Sequence, residues 1–392
     1  DVFSKNLESR GVKVHWAKDA QEFNEIVLGI LNDHHVKKMV KSKSMLTEEC
    51  EMNPYLEKHG IDVVETDLGE RIIQLLGQKP SHIVMPAIHL KREEVGKMFE
   101  EKGISKEIGN YDPTYLTRCA RHHLRNQFME AGAGMTGCNF GVAETGDCVV
   151  CTNEGNADMT TSMPKLHIVA MGIEKLVPDY KSLAVFQRLL CRCGTGQPTT
   201  AFTSHFRQAR PGAEMHVVLV DNGRSDILAD KDHWQTLKCM RCGACMNTCP
   251  VYRRSGGYSY TYFIPGPVGV NLGMLKNPQK YADNVSACTL CLSCDNVCPS
   301  KVGPGSQIYV WRQSLDRLGK ANPIKKAMSS GMEYLFDRPS LYTTALKFAP
   351  LANLIPECCT HFSNWNAWGI GHAMPEFAKK SFHQLWKAGK VI

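Results

Sequence analysis

The sequence predicts an N-terminal α/β domain built on a parallel sheet, followed by a small cysteine-rich domain and a helical C-terminal segment. Short apolar runs alternate with segments of helical periodicity through the first half of the chain, a rhythm typical of parallel α/β folds. Two copies of one cysteine array follow, and beyond them prolines interrupt helical sequence. We therefore expect three parts, covering residues 1–225, 226–305 and 306–392.

The first elements are predicted from alternating periodicities. Apolar side chains between residues 23 and 31 recur at helical spacing and form one stripe, and Ile72–Leu76 predicts another helix. Extended runs rich in Val and Ile predict the strands that alternate with these helices. Those runs are Val12–Trp16, Lys38–Val40, Asp62–Glu65 and His82–Met85.

The second half of the α/β domain continues the pattern. A long helix is predicted from about Tyr115 to Ala131, and the turn Glu144–Asp147 that follows it suits a β-hairpin. Leu166–Ala170 and His216–Val220 are continuous apolar runs of the kind found in buried strands. A helix lies between these two runs, so the domain is expected to close after the second.

Composition excludes several classes of protein. The 392 residues are 43% hydrophobic, enough for more than one buried core, but no apolar run reaches the roughly 18 residues that cross a bilayer. The net charge of +7 comes without the Lys/Arg runs typical of nucleic-acid binding. Asp1–Lys5 include neither an initiator Met nor the apolar core of a secretory signal, so we expect a fragment or a processed form from a reducing compartment.

The strongest motif is a cysteine array that occurs twice. Both copies read C-x2-C-x2-C-x3-C-P, and four thiolates in this order are typical of a [4Fe–4S] cluster. Zinc, the alternative metal, usually takes two C-x2-C pairs per ion. We therefore predict two [4Fe–4S] clusters held by the eight cysteines of the two arrays. The first array is Cys239, Cys242, Cys245 and Cys249, and the second is Cys288, Cys291, Cys294 and Cys298.

In two-cluster ferredoxins the fourth cysteine of each array binds the cluster of the other array. The same exchange here pairs Cys298 with the first three cysteines of the first array, and Cys249 with the first three of the second. Such crossed ligation keeps two clusters close enough for electrons to pass between them. The predicted sets are Cys239, Cys242, Cys245 and Cys298 for one cluster, and Cys288, Cys291, Cys294 and Cys249 for the other.

Two further motifs carry weaker signals. Gly132–Gly137 matches G-x-G-x-x-G, but a helix precedes it and a strand follows, the reverse of a dinucleotide-binding context, so we expect only a tight turn. Five other cysteines leave a third metal site open. Cys148 and Cys151 are three apart on a predicted strand and face opposite ways, which favours buried, unligated thiols. The five are Cys138, Cys148, Cys151, Cys191 and Cys193.

Polar loops at strand ends predict a ligand pocket, with ordinary loop chemistry as the alternative. Open α/β sheets bind ligands at such positions. Lys41–Ser44 offers two lysines and backbone amides for an anion, and Ala143–Gly146 and Thr152–Asn156 each carry a glutamate. Glu144 and Glu154 are therefore candidate catalytic residues.

Several segments together resemble one bacterial family. They are Val40–Met45, Glu65–Gly69, Pro80–Val84, Ala143–Gly146, Thr152–Asn156, Met171–Lys175, Asp221–Arg224, Arg241–Cys245 and Cys249–Arg254. The joined pattern covers nearly the whole chain and is similar to the lactate utilisation protein B family. That resemblance implies a LUD domain, related to the sugar-phosphate isomerase (NagB/RpiA) and CoA-transferase-like α/β fold, before an α-helical ferredoxin-type domain. Family members carry a longer N-terminal extension, and the five additional cysteines match no family pattern.

The resemblance also implies a function. It is that of the electron-conducting iron–sulfur subunit in a three-subunit complex that oxidises L-lactate to pyruvate, with quinone as one candidate electron acceptor. Two partner subunits, a cytoplasmic location and at most peripheral contact with the inner face of the membrane are expected, and flavin is not expected on this chain. The alternative is that the LUD-like domain itself binds or transforms an anionic or acyl substrate. Trp365 and Trp368, in the C-terminal segment, suggest a cap on the cluster domain or a contact with a partner.

Overall fold

The computed structural model describes residues 1–320, 323–356 and 375–390. The chain divides into two compact units, Asp1–Leu318 and Gly319–Ile392. The first unit contains both the α/β domain and the two cysteine arrays, so contacts between those parts lie within one body. The domain boundaries expected near residues 225 and 305 stay predictions.

A six-stranded parallel sheet forms the centre of the first unit. Its strand order is β1-β10-β7-β4-β2-β3, and every neighbouring pair runs parallel. All seven residues of β7 are buried, because helices cover both faces of the sheet. The strands are β1 Lys13–Ala17, β2 Lys38–Lys41, β3 Asp62–Glu65, β4 Ala133–Gly137, β7 Leu166–Gly172 and β10 Glu214–Val220.

A second sheet of four strands lies beside the first, in the order β8-β5-β6-β9. Its centre is the predicted hairpin, in which β5 and β6 pair antiparallel across a turn at Gly146 with φ +72°. The strands are β5 Phe140–Val142, β6 Asp147–Thr152, β8 Leu176–Val177 and β9 Phe202–Phe206.

Helices connect the strands and cover them. The predicted stripe at residues 23–31 lies on α2, whose Phe23, Val27 and Leu31 are fully buried in the main core. Asp19 caps this helix by accepting a hydrogen bond from the backbone N–H of Glu22. The helices are α1 Val2–Glu8, α2 Ala20–Asp33, α3 Met45–Glu49, α4 Met52–Lys58, α5 Leu68–Leu76, α6 Arg92–Glu101, α7 Pro113–Glu130, α8 Asn156–Ser162, α9 Tyr180–Thr195 and α10 Arg224–Ala229.

Two predicted elements differ in the structure. His82–Met85 is not a strand, because the His82 ring accepts hydrogen bonds from the backbone N–H groups of Val84 and Met85 and bends the chain there. Gly134 and its neighbours form strand β4 rather than a turn. A Cβ on Gly134 would lie 1.8 Å from the carbonyl oxygen of Thr160, so this glycine permits the close approach of α8 to the sheet.

The cysteine-rich part is helical, with a short helix inside each array and further helices after it. Its own core contains Met246, Ile264, Val268, Val285 and Ile308, all buried. The helices are α11 Ala244–Thr248, α12 Pro250–Ser255, α13 Gly266–Lys276, α14 Pro278–Ser286, α15 Ser293–Val297 and α16 Pro304–Ser314; short 3-10 turns are Ile173–Lys175, Trp234–Lys238 and Gly257–Ser259.

The described part of the second unit is helical, and prolines interrupt the helices as the sequence predicts. It contains α17 Pro323–Phe336, α18 Pro339–Phe348, a 3-10 turn at Ala349–Leu354 and a last helix, Phe382–Lys387. Trp365 and Trp368 lie outside the described residues. Within the described ranges, none of the helices is both long enough and apolar enough to cross a membrane.

Candidate iron–sulfur centres and the adjoining cavity

The two cysteine arrays adopt the same backbone conformation. Arg241 and Leu290, two residues after the first cysteine of each array, have φ values of +64° and +54°. Gly243 and Leu292, four residues after that cysteine, have φ values of +81° and +58°. Each array is therefore one tight left-handed loop that leads into a short helix, although only one copy carries glycine.

Backbone N–H groups point at the same sulfur atoms in both copies. The N–H of Arg241 donates to Cys239 Sγ, and that of Leu290 donates to Cys288 Sγ, each at 3.4 Å. Cys249 and Cys298, the fourth cysteines, receive N–H groups from Tyr252 at 3.5 Å and from Val302 at 3.3 Å. Hydrogen bonds of this kind to cluster sulfurs are one way in which a protein sets reduction potential.

Cys298 lies beside the first three cysteines of the first array, and Cys249 lies near Cys288 and Cys294 of the second. A small cavity is lined by all three leading cysteines of the first array together with Cys298. Burial, and after it the nearby thiols of Cys239, Cys193 and Cys298, raise the pKa of Cys242 to about 11. In the second array, burial, then Asp295, and then the thiols of Cys288 and Cys249 raise the pKa of Cys294 to about 12.

The donor set fits a [4Fe–4S] cluster. Cys242, Cys294 and Cys298 are buried, and the apolar side chains of Met240 and Val268 line the small cavity with Cys242 and Cys298. Soft thiolates are the ligands that iron–sulfur clusters require. Because burial favours the neutral thiols, the positive charge of an iron core is what would hold them ionised. Cys291 is the one exposed cysteine among the eight of the two arrays.

A cavity of about 500 Å³ lies where five parallel strands end. Its walls include residues that follow β2, β3, β4, β7 and β10, so it occupies the edge at which open α/β sheets bind ligands. The first cysteine array closes its other side through Met240, Arg241 and Cys242. The cavity therefore joins the α/β domain to the first array, a relationship that the sequence does not reveal because the two are far apart along the chain.

A buried ion-pair network braces one wall of the cavity. Arg224 donates from Nε to Glu174 at 2.5 Å, and from Nη1 and Nη2 to Glu49 at 3.0 Å each. Although burial opposes ionisation, Lys175 and Arg224 lower the pKa of Glu174 to about 2. The Lys175 ammonium also donates to the carbonyl oxygen of Cys239 at 3.2 Å, which ties the wall to the first array.

The lysines predicted to hold an anion are already paired. Lys41 is completely buried, with Nζ 2.7 Å from Glu65 and 3.1 Å from Glu48, and it does not line the cavity. The prediction is therefore wrong for Lys41, because an ammonium without water requires carboxylate partners. Lys43 does line the cavity, but its Nζ lies 2.5 Å from Glu70.

The two candidate glutamates have different positions. Glu154 lines the cavity, and burial raises its pKa. Glu144 is not among the lining residues, and its carboxylate accepts a hydrogen bond from the backbone N–H of Tyr180 at the start of α9. Asp67, which the sequence did not single out, also lines the cavity, and burial followed by the charge of Glu70 raises its pKa to about 8.

The additional cysteines line or adjoin the same cavity. Cys138, Cys151 and Cys191 contribute to its walls, while Cys148 is fully buried. The Cys138 thiol donates a hydrogen bond to the carbonyl oxygen of Phe140 at 3.1 Å. Cys193 packs in the apolar cluster that contains Cys242. Burial raises the pKa of Cys151 to about 12, so its thiol is neutral near pH 7, as expected for a small packing residue.

Comparisons with known proteins match both parts of the chain. The LUD domain model matches residues 1–225, and the 4Fe-4S dicluster domain model matches residues 235–302. Lactate utilization protein B of Geobacillus thermodenitrificans is 42% identical over 359 residues, covering 89% of this chain and 75% of the relative. The protein of that name from Oceanobacillus iheyensis is 38% identical over 397 residues, covering 98% and 82%. The chain belongs to the lactate utilization protein B family.

Membership of the lactate utilization protein B family confirms the resemblance predicted from the sequence. The dicluster match, with the cysteines of both arrays inside it, identifies a lactate utilization iron–sulfur protein with two [4Fe–4S] clusters. Among solved structures, a DUF162 family protein from Deinococcus radiodurans aligns over 56% of this chain and 94% of its own. Its TM-score of 0.31 and 13% identity are too low to support any argument.

Proposed function

We propose that this chain carries electrons through its two clusters within a complex that oxidises L-lactate to pyruvate. The position of each fourth thiol beside the other array supports this role, because crossed ligation holds two clusters side by side. The two arrays also contact each other directly. The hydroxyl groups of Thr248 on α11 and Ser293 on α15 lie 2.5 Å apart in a hydrogen bond. Two neighbouring clusters exchange electrons readily, whereas a cluster that only stabilises the fold would not need a second cluster beside it.

Electron counting requires partners. Oxidation of lactate releases two electrons, whereas a [4Fe–4S] cluster accepts one at a time, so a two-electron acceptor on a partner subunit must couple to this pair. We propose two partner subunits and place the complex in the cytoplasm, at or near the inner face of the membrane, with quinone as the candidate final acceptor. Cys291, the exposed ligand, marks the place where the second cluster lies closest to solvent and therefore to an incoming or outgoing electron.

The test is lactate-driven reduction of the assembled complex. The chain is co-purified anaerobically with its candidate partner subunits, L-lactate is added, and the reduced clusters are detected by electron paramagnetic resonance. We expect both clusters to become reduced, and a Cys249→Ser variant to lose most of that signal. Cys119→Ser, on α7 in an apolar cluster that contains no array cysteine, serves as the control. Clusters that stay oxidised while the partners consume lactate would contradict a conducting role.

The cavity favours a second candidate function, in which the LUD domain binds an anionic substrate beside the first cluster. Arg241 lines the cavity from within the first array, and its buried Nη1 has no hydrogen-bond partner among the described residues. Asp67 and Glu154, both with raised pKa, stand in the same cavity as groups able to take up or release a proton. A carboxylate ligand would satisfy the guanidinium, whose paired hydrogen bonds suit such a group.

This second candidate has its own test. The holoprotein is titrated with L-lactate, and in separate runs with pyruvate and acetyl-CoA, by isothermal calorimetry. We expect saturable binding of one of them. The affinity should fall by about 10- to 100-fold in Arg241→Gln, which corresponds to the free energy of a hydrogen bond to a charged group. Arg253→Gln, at an exposed arginine, is the matched control. Absence of saturable binding, or Glu154→Gln with full lactate-dependent reduction, would count against a catalytic cavity.

A further inference from the structure

Three side chains converge at the end of the main sheet opposite to the cavity. Glu214 is the first residue of β10 and His216 is the third, and His34 follows the last residue of α2. One ligand atom from each lies within 4.8 Å of the others. The cluster lies at the amino end of β10, whereas the cavity lies beyond its carboxyl end, so the cluster takes no part in the site described above.

The spacing of these atoms suits a small divalent cation. His34 Nε2 lies 3.4 Å from Glu214 Oε1, close to the roughly 3.3 Å that separates two donors about 2.0 Å from a tetrahedral zinc ion. His216 Nε2 lies 2.6 Å from the same oxygen in a hydrogen bond, so the carboxylate needs only a small rotation to share an ion with that ring. The His34 and Glu214 side chains are one-third exposed, which leaves an entry path for the metal.

A second feature supports ligation by His216 in particular. Its other ring nitrogen, Nδ1, lies 2.9 Å from Nε2 of His15, and the two rings are parallel within 2°. Metal-binding histidines ordinarily hydrogen-bond through the second nitrogen, and that bond fixes the ring orientation and the tautomer. His15 supplies this contact from the neighbouring strand, so Nε2 of His216 is aimed at Glu214 and at the space that His34 borders.

We propose that His34, Glu214 and His216 form a zinc site, with water as the fourth ligand. Two imidazoles and one carboxylate with an open position are a donor set that zinc accepts. The ion would tie the end of α2 to the start of β10. Lys13 is the competitor, because its ammonium is in contact with Glu214 Oε1, but this side chain is 57% exposed and free to turn into solvent.

The experiment measures zinc bound to the intact holoprotein. The protein is purified anaerobically with both clusters quantified by iron and sulfide, incubated with ZnCl2, freed of loose metal by gel filtration, and analysed by mass spectrometry of the elements. We expect the natural chain to retain one more zinc ion than His34→Ala and Glu214→Gln. His122→Ala, at an exposed histidine on α7, should equal the natural chain. Unchanged iron and sulfide content verifies that the variants are folded.

Two further variants separate a metal site from a hydrogen-bond network. His15→Phe should weaken zinc binding by about 10- to 100-fold, the usual effect of losing such an outer contact. Lys13→Ala removes the competitor and should tighten binding by up to about fivefold, the worth of an exposed ion pair. Equal zinc retention by the natural chain, His34→Ala and Glu214→Gln, or weaker binding by Lys13→Ala, would overturn the proposal.

Discussion

Gly243 and Leu292 occupy the same position in the two cysteine arrays, and both adopt a left-handed backbone, with φ of +81° and +58°. Glycine reaches this region without steric cost, whereas leucine is held there at roughly 1–2 kcal/mol. The second loop therefore keeps its conformation because the surrounding structure and the cluster impose it. The repeat seen in the cysteine spacing is also a repeat of backbone geometry.

Replacing Gly243 with alanine should destabilise the first loop. The new methyl group would require a left-handed alanine and would lie 3.3 Å from the ring of His82, so we expect a loss of about 1–2 kcal/mol and faster loss of the first cluster. Thermal unfolding of the holoprotein, followed by cluster absorbance, measures this. Gly29→Ala, in the helix α2 with open space around it, should be neutral or stabilising, and an equal loss in both variants would contradict the explanation.

The sequence predicted most of the parallel sheet, and its failure at His82–Met85 has a physical cause. Ile83 in that segment is buried, but it packs with Met246 and Ile264 of the cluster domain rather than in the sheet. An apolar run predicts burial and cannot distinguish a strand from a bent loop covered by another domain. The hairpin turn, by contrast, was predictable because glycine at a positive φ is a local requirement.

The cluster ligands were also predictable, whereas the cavity was not. Cysteine spacing encodes a local loop, so both arrays could be recognised without the fold. Arg241 and Glu174 line one cavity although they are far apart in the chain, and only the packing of the first array against the end of the sheet brings them together. Lys41 was misassigned for the same reason, since its partner Glu65 lies on the adjacent strand β3.

Removing the charge of Arg224 should destabilise the protein strongly. Arg224→Met leaves Glu49 and Glu174 buried without their shared cation, and breaking a buried pair in this way costs about 3–5 kcal/mol. Denaturant unfolding of the holoprotein measures the loss. Arg92→Met breaks an exposed pair with Glu93 and should change stability by less than about 1 kcal/mol. Similar losses in the two variants would show that burial is not the cause.

Asp67 should make stability depend on pH. Burial and the charge of Glu70 raise its pKa to about 8, above the value of 3.8 expected in the unfolded chain. The folded state therefore binds the proton more tightly, so the stabilisation is complete below pH 4 and is lost as pH rises towards 8. Between pH 5 and 9, the free energy of unfolding of Asp67→Asn should therefore change with pH by at least about 1 kcal/mol less than that of the natural chain.

The measurement is the midpoint of denaturant unfolding at several pH values between 5 and 9, within the range in which the clusters stay intact. Asp33→Asn, at an exposed aspartate, should reproduce the natural curve. If the midpoints of the natural chain and of Asp67→Asn change with pH in parallel across this interval, Asp67 ionises normally.

Crossed ligation makes opposite predictions for the two fourth cysteines. Cys298→Ser should alter the cluster held by Cys239, Cys242 and Cys245, although residue 298 belongs to the second array, because its thiol lies in the cavity lined by those three. Cys249→Ser should alter the other cluster, since its thiol adjoins Cys288 and Cys294.

Electron paramagnetic resonance of the reduced protein distinguishes the two clusters once each array is marked. Cys242→Ser marks the first cluster and Cys291→Ser marks the second. With crossing, the spectrum of Cys298→Ser should change in the features that Cys242→Ser affects, and that of Cys249→Ser in the features that Cys291→Ser affects. The reverse correspondence would mean that each array binds its own cluster, and electron exchange would then have to pass between two independent loops.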